Sequence, residues 1–107
     1  MIPDQPPPTP GGTDVILDLV AALRARKRIP GYLHGLSSGI RTDTEDLCYE
    51  RNLDLCDELL ARREVGIARY GTPLQTGNGR DAQLDELQEL LDAMAYRWQA
   101  HIERQGR

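Results

Sequence analysis

REVGIARYGTPLQTGNGRDAQLDELQELLDAMAYR, residues Arg63 to Arg97, decides the fold. Its opening residues read as the end of an amphipathic helix, closed by Gly71, the residue type that most readily takes the left-handed backbone of a helix C-terminus. Gly71 to Arg80 then combines three glycines with Pro73, Asn78 and two threonines, which is turn chemistry. Beyond the turn, Leu84, Leu87, Leu91, Met94, Trp98 and Ile102 step by three and four. That spacing is one apolar seam on a helix starting near Asn78 or Asp81 and ending near Arg104. Two helices joined by a short connection pack antiparallel.

Upstream, Thr42 followed by Glu45 has the form of a capping box, opening a second helix that runs to about Tyr70. Tyr49, Leu53, Cys56, Leu60 and Ile67 make its core stripe, with Glu50, Asp54, Asp57 and Glu64 along one flank. Gly66 weakens the interior of this helix and leaves room for a neighbouring backbone. Cys48 and Cys56 lie eight residues apart on it, too far along the axis to bridge, and read as buried thiols of a reducing compartment.

Thr13 or Asp14 caps a first helix reaching about Lys27, with Ile16, Leu19, Val20 and Leu23 on one face. Arg24, Arg26, Lys27 and Arg28 suit the negative end of the helix dipole, and the same cluster has the charge of a phosphate-facing patch. Pro30 and Gly31 stop the helix. From Ile29 to Thr42 the chain reads as an ordered loop or a short helical turn, held by Tyr32, Leu33, Leu36 and Ile40. His34 there reads as a hydrogen-bonding surface residue. Met1 to Gly12 carries five of the seven prolines and reads as a disordered tail.

The expected fold is therefore all-α: a three-helix antiparallel bundle over residues 13–107, one helical domain behind a disordered Pro-rich tail of residues 1–12. A 107-residue chain with no Phe and one Trp has little to build a core from. We expect a homo-oligomer completed through the seam of the last helix. A net charge of −4 argues against non-specific nucleic-acid binding, which needs a basic surface. No apolar run is long enough to span a membrane, and no signal peptide is legible, so a cytoplasmic protein is expected.

Two sets of residues have the chemistry of a site. If the flanks of the second and third helices meet, Asp54, Asp57 or Glu58 faces Glu89 and Asp92. Clustered carboxylates stay ionised only beside a hard cation, for which Mg²⁺ is the natural choice. Equally, such stripes are what solvated helix faces carry. The second set is the loop, where Thr72, Gln75, Thr76, Asn78 and Arg80, preceded by Arg69 and Tyr70, supply donors at a helix N-terminus suited to an anion. The plainer reading is turn chemistry. Two Cys and two His (His34, His101) lack the spacing of a zinc site.

Glu89-Leu90-Leu91-Asp92, followed by Ala93-Met94-Ala95-Tyr96, resembles the ExxD helix of the all-α nucleoside triphosphate pyrophosphohydrolases, the MazG-like group. The Arg-Tyr-Gly-Thr-Pro-Leu-Gln turn and the Asn-Gly-Arg-Asp helix start are also similar to small phage-encoded proteins placed near that group. The resemblance covers the C-terminal half. It implies Mg²⁺ held by Glu89 and Asp92, cleavage of a nucleotide between its α- and β-phosphates, and a bacterial host cytosol. The family's EExxE motif has no counterpart here; Asp54-Leu55-Cys56-Asp57-Glu58 is acidic but differently spaced. Two alternatives are a non-catalytic oligomer that sequesters a nucleotide or other phosphorylated small molecule, and a helical interaction module that binds a host protein through its seam or its tail.

Overall fold

Four helices, not three, form from this sequence: α1 (Val15–Ala25), α2 (Ser38–Glu50), α3 (Leu55–Tyr70) and α4 (Ala82–Arg104). They come from a computed structural model that describes residues 1–25 and 38–106. The basic residues Arg26, Lys27 and Arg28, the Pro30–Gly31 stop, and Tyr32, Leu33, His34 and Leu36 lie outside the described residues. Among the described residues the protein is all-helical, with no strand beyond a single antiparallel bridge between Asp14 and Gln75. The chain divides into two units, Pro8–Asn78 and Met1–Pro7 with Gly79–Arg107.

The expected helix from Thr42 to Tyr70 is two helices, and Asn52 is the reason. Its φ of 58° is left-handed, a conformation Asn tolerates better than other side-chain-bearing residues. The Leu53 amide donates to the Cys48 carbonyl at 2.8 Å and the Asn52 amide to the Tyr49 carbonyl at 3.0 Å. This is the paired closure that satisfies a helix's last carbonyls. Two residues on, Asp54 caps α3: its side chain accepts the Asp57 amide at 3.0 Å. Helix α2 begins at Ser38, so Thr42 lies inside it, and Glu45 pairs with Arg41 at 2.7 Å instead of closing a capping box. The break also divides the expected core stripe. Cys56, Leu60 and Ile67 are half-buried on α3, whereas Tyr49 and Leu53 are exposed. Cys48 and Cys56, expected on one helix, belong to α2 and α3 respectively and are both free and half-buried.

In the larger unit α1 packs along α3, and α2 touches α3. Among the described residues Val20 and Leu23 of α1 are the buried apolar side chains, with Ile16 and Leu19 half-buried on the same helix, as the three-and-four spacing requires. The Asp14 side chain accepts the Leu17 amide at 3.2 Å and starts α1. Gly71, at φ 77°, ends α3 by donating to the Ile67 carbonyl at 2.7 Å. A Cβ on Gly66 would meet open space, so no neighbouring backbone approaches there.

In the other unit α4 starts at Asp81, whose side chain accepts the Gln83 and Leu84 amides. Its range and its cap agree with the sequence reading.

Candidate functional site

The polar loop is engaged by the protein's own N-terminal segment. Within the larger unit, the segment expected to be a disordered tail runs beside it. Thr9 donates its amide and its hydroxyl to the Asn78 carbonyl, each at 3.0 Å. The Gly12 amide meets the Thr76 carbonyl at 2.7 Å, the Thr76 amide the Thr13 carbonyl at 2.9 Å, and the Val15 amide the Leu74 carbonyl at 2.9 Å. Side chains join in. Gln75 Oε1 accepts from the Gly11 amide at 2.9 Å and from the Thr72 hydroxyl at 3.3 Å, and Thr76 Oγ1 accepts from the Thr13 amide. Proline has no amide to donate, and the pairing uses the residues between and after the prolines. Gly11 is needed for this approach: a Cβ there would stand 2.1 Å from the Thr76 carbonyl oxygen. Asn78 is buried.

In the smaller unit Met1–Pro7 clasps the start of α4. Gln5 exchanges hydrogen bonds with the backbone of Asp81, its amide nitrogen reaching the carbonyl at 2.9 Å and its oxygen accepting the amide. That nitrogen also reaches Asp85 Oδ1 at 2.8 Å. Arg80 grips Asp85 with both edges, Nε to Oδ2 at 3.0 Å and Nη2 to Oδ1 at 2.7 Å, and donates Nη1 to the Pro6 carbonyl. These bonds hold the Asp85 carboxyl below its ordinary range, the Arg80 guanidinium contributing most. Thr72, Gln75 and Asn78 thus bind the chain itself in one unit and Arg80 does so in the other, while Arg69 and Tyr70 are exposed, the Arg69 guanidinium 5.2 Å from the Tyr70 ring centre.

The larger unit has a comparable ion pair. Arg63 of α3 meets Asp14 Oδ2 through Nε at 2.9 Å and Nη2 at 2.8 Å, both side chains about four-fifths buried. The guanidinium holds Asp14 below, and is itself held above, its ordinary range. A depressed carboxyl stabilises the fold above its unfolded value of about 4 and loses that contribution as pH falls through the lower, folded value. Asp14→Asn keeps an N-cap oxygen but not the charge. We expect wild type to melt above Asp14→Asn near neutral pH and the gap to close in thermal scans toward about pH 2. A gap that stays constant with pH would mean that the charge contributes nothing.

Of the carboxylates, Asp54 is the cap of α3, Asp57 is exposed and Glu58 half-buried in its first turn. Glu89 and Asp92 are exposed on α4. Among the described residues no three His, Cys, Asp or Glu side chains gather as a metal-holding group. No protein-family model, curated protein or solved structure matches the chain. None of the described helices is long and apolar enough to cross a membrane.

Two further features stand out among the described residues. The first is the seam of α4, where Leu87, Leu91, Met94 and Trp98 are exposed, Met94 by 70% and Trp98 by 61%. Trp98 lies against His101 of its own helix, ring centres 5.0 Å apart. The second is an open cavity of about 430 Å³ in the larger unit, where Leu23, Arg41, Tyr49, Leu53, Leu55 and Cys56 meet. The sequence reading passed over Arg41. Its only local signal is Glu45 one turn on, the mark of an ordinary surface pair.

Proposed function

We propose that this protein is a helical self-assembly module whose α4 pairs antiparallel with α4 of a second copy. The observation that carries the reading is the exposed seam together with the distribution of charge along the same helix. From Ala82 to Ala93 the charged residues are Asp85, Glu86, Glu89 and Asp92, all acidic; from Met94 to Arg104 they are Arg97, Arg104 and Glu103, with His101 beside them. Antiparallel pairing sets the acidic half of each helix against the basic half of the other and opposes the two dipoles; parallel pairing sets like on like. A two-fold axis between Leu91 and Met94 stacks Leu91 of one copy on Met94 of the other, and Leu87 on Trp98. Leu91 and Met94 are similar in volume, and Leu87 meets the larger Trp98. At about 1.5 Å per residue, 23 residues give a contact roughly 34 Å long.

Sedimentation equilibrium of the full chain tests this. We expect a dimer at roughly tens of micromolar, weakened by raising salt from about 0.05 to about 0.5 M, because opposite charges face each other. A monomer throughout that range overturns the reading, and a dimer strengthened by salt would mean parallel pairing.

The competing reading is the Mg²⁺-dependent pyrophosphohydrolase that the ExxD resemblance implies. What favours it is that Glu89 and Asp92 are both exposed, three residues apart on α4. Incubating the same protein with Mg²⁺ and a nucleoside triphosphate panel separates the two readings. Monophosphate and pyrophosphate formed by wild type but not by Glu89→Gln would establish the enzyme, and binding of intact nucleotide would establish sequestration.

A further inference from the structure

The cavity between α1, α2 and the start of α3 has a feature that the assembly of α4 does not use. Arg41 lines it and is about nine-tenths buried. Its Nε is paired with Glu45 Oε1 at 2.7 Å, but its Nη1 is buried and has no hydrogen-bond partner. Leaving a charged donor both dehydrated and unpaired is among the more costly arrangements in a fold. The cap residue Asp54 also lines the cavity, with its Oδ1 accepting the Asp57 amide. Leu55 and Cys56, which also line the cavity, belong to the first turn of the 16-residue α3.

The carboxylates of the cavity are placed differently. Asp46 and Asp54 are exposed, and the Glu45 side chain is 43% accessible. Acid groups at a wet mouth act through a high dielectric and are screened, whereas the guanidinium acts from a dry position where pairing is stronger. A single negative charge can therefore be drawn to Arg41. A dianion would carry its second charge past Asp46 and Asp54. The apolar part of the lining comes from Leu23, Leu53 and Leu55, with the exposed Tyr49 beside them.

We infer that this cavity binds a small monocarboxylate with an apolar body, its carboxylate pairing with the Arg41 guanidinium and its hydrocarbon lying against Leu23, Leu53 and Leu55. The volume is within the range of small-molecule sites. The inference is independent of the self-assembly reading, because every residue it uses belongs to Pro8–Asn78 and none to α4.

The test uses the full-length protein, with hexanoate, octanoate, octan-1-ol and inorganic phosphate as probes, read by amide chemical shifts and by thermal stability. Octanoate is expected to saturate, to raise the melting temperature, and to bind at least tenfold more tightly than octan-1-ol; phosphate is expected to leave both readouts unchanged. Arg41→Met removes the donor and should weaken octanoate at least tenfold while the unliganded variant melts no lower than wild type, a buried orphan having been removed. If that variant does not fold, Arg41→Lys, which keeps the charge but lacks the second edge of the guanidinium, should show the same loss. Absence of saturation with octanoate, equal binding of octan-1-ol, equal binding of phosphate, or undiminished affinity in the Arg41 variants would each overturn the inference.

Discussion

Replacing Leu91 and Met94 together by Asp is expected to convert the dimer to a monomer at every accessible concentration, weakening association by roughly 100-fold or more. A two-fold pair places four of the new carboxylates in the two central layers, and removal of apolar surface there adds to their desolvation cost. Both side chains are exposed in the single chain, Leu91 by 50% and Met94 by 70%. The fold of the protomer should therefore be indifferent, and its circular dichroism and melting at low concentration should match wild type to within about 0.5 kcal/mol. That combination separates an interface from a core. Loss of folding in the double variant would show that the seam is buried within the chain, and unchanged sedimentation would remove α4 as the contact. As a control, Tyr96→Ala, exposed by 69% but off the seam, should leave association unchanged.

Elements fixed by short-range chemistry were legible in the sequence. The caps Asp14 and Asp81, the left-handed Gly71 and the seam of α4 each depend on residues within about one turn, and all stand where the pattern puts them. The break at Asn52 was also written locally, as an Asn in the left-handed position followed by an Asp two residues later. It was masked because Tyr49, Leu53, Cys56 and Leu60 keep helical spacing across the gap. Periodicity reports which positions are apolar, and it is blind to a two-residue change of axis. The N-terminal segment was illegible for another reason. Five prolines exclude helix and ladder, yet the amides of Thr9, Gly12 and Val15 find carbonyls more than 55 residues away in the sequence. No local pattern encodes a contact of that separation.

The same distinction governs the candidate sites. Polar density in Gly71–Arg80 was read as capacity for a ligand, and much of it is spent on holding residues 6 to 15. Arg41 looked like half of a surface pair and is buried with one nitrogen unmatched. A donor's availability depends on burial and on distant partners, which composition and spacing do not report. Exposure of the α4 seam, in contrast, could be anticipated, because a chain with so few large side chains has nothing to spare for covering it.

Leu23→Ala is expected to cost about 2–3 kcal/mol of folding free energy, measured by denaturant unfolding at a concentration below dimerisation. Leu23 and Val20 are the buried apolar side chains among the described residues, at 6% and 3% exposure, both on the face of α1 that packs along α3. Truncating a buried Leu to Ala removes its transfer free energy and leaves a void, together typically 2–5 kcal/mol. The lower part of that range applies because Leu23 also borders the open cavity, where solvent can enter and no sealed void forms. For a domain of this size such a loss is a large share of total stability. Leu17, on the same helix but 45% exposed, is the internal comparison: Leu17→Ala should change stability by no more than about 0.5 kcal/mol. Equal effects at the two positions would mean that α1 does not dock through Leu23, and the account of the larger unit's core would have to be rebuilt around α3.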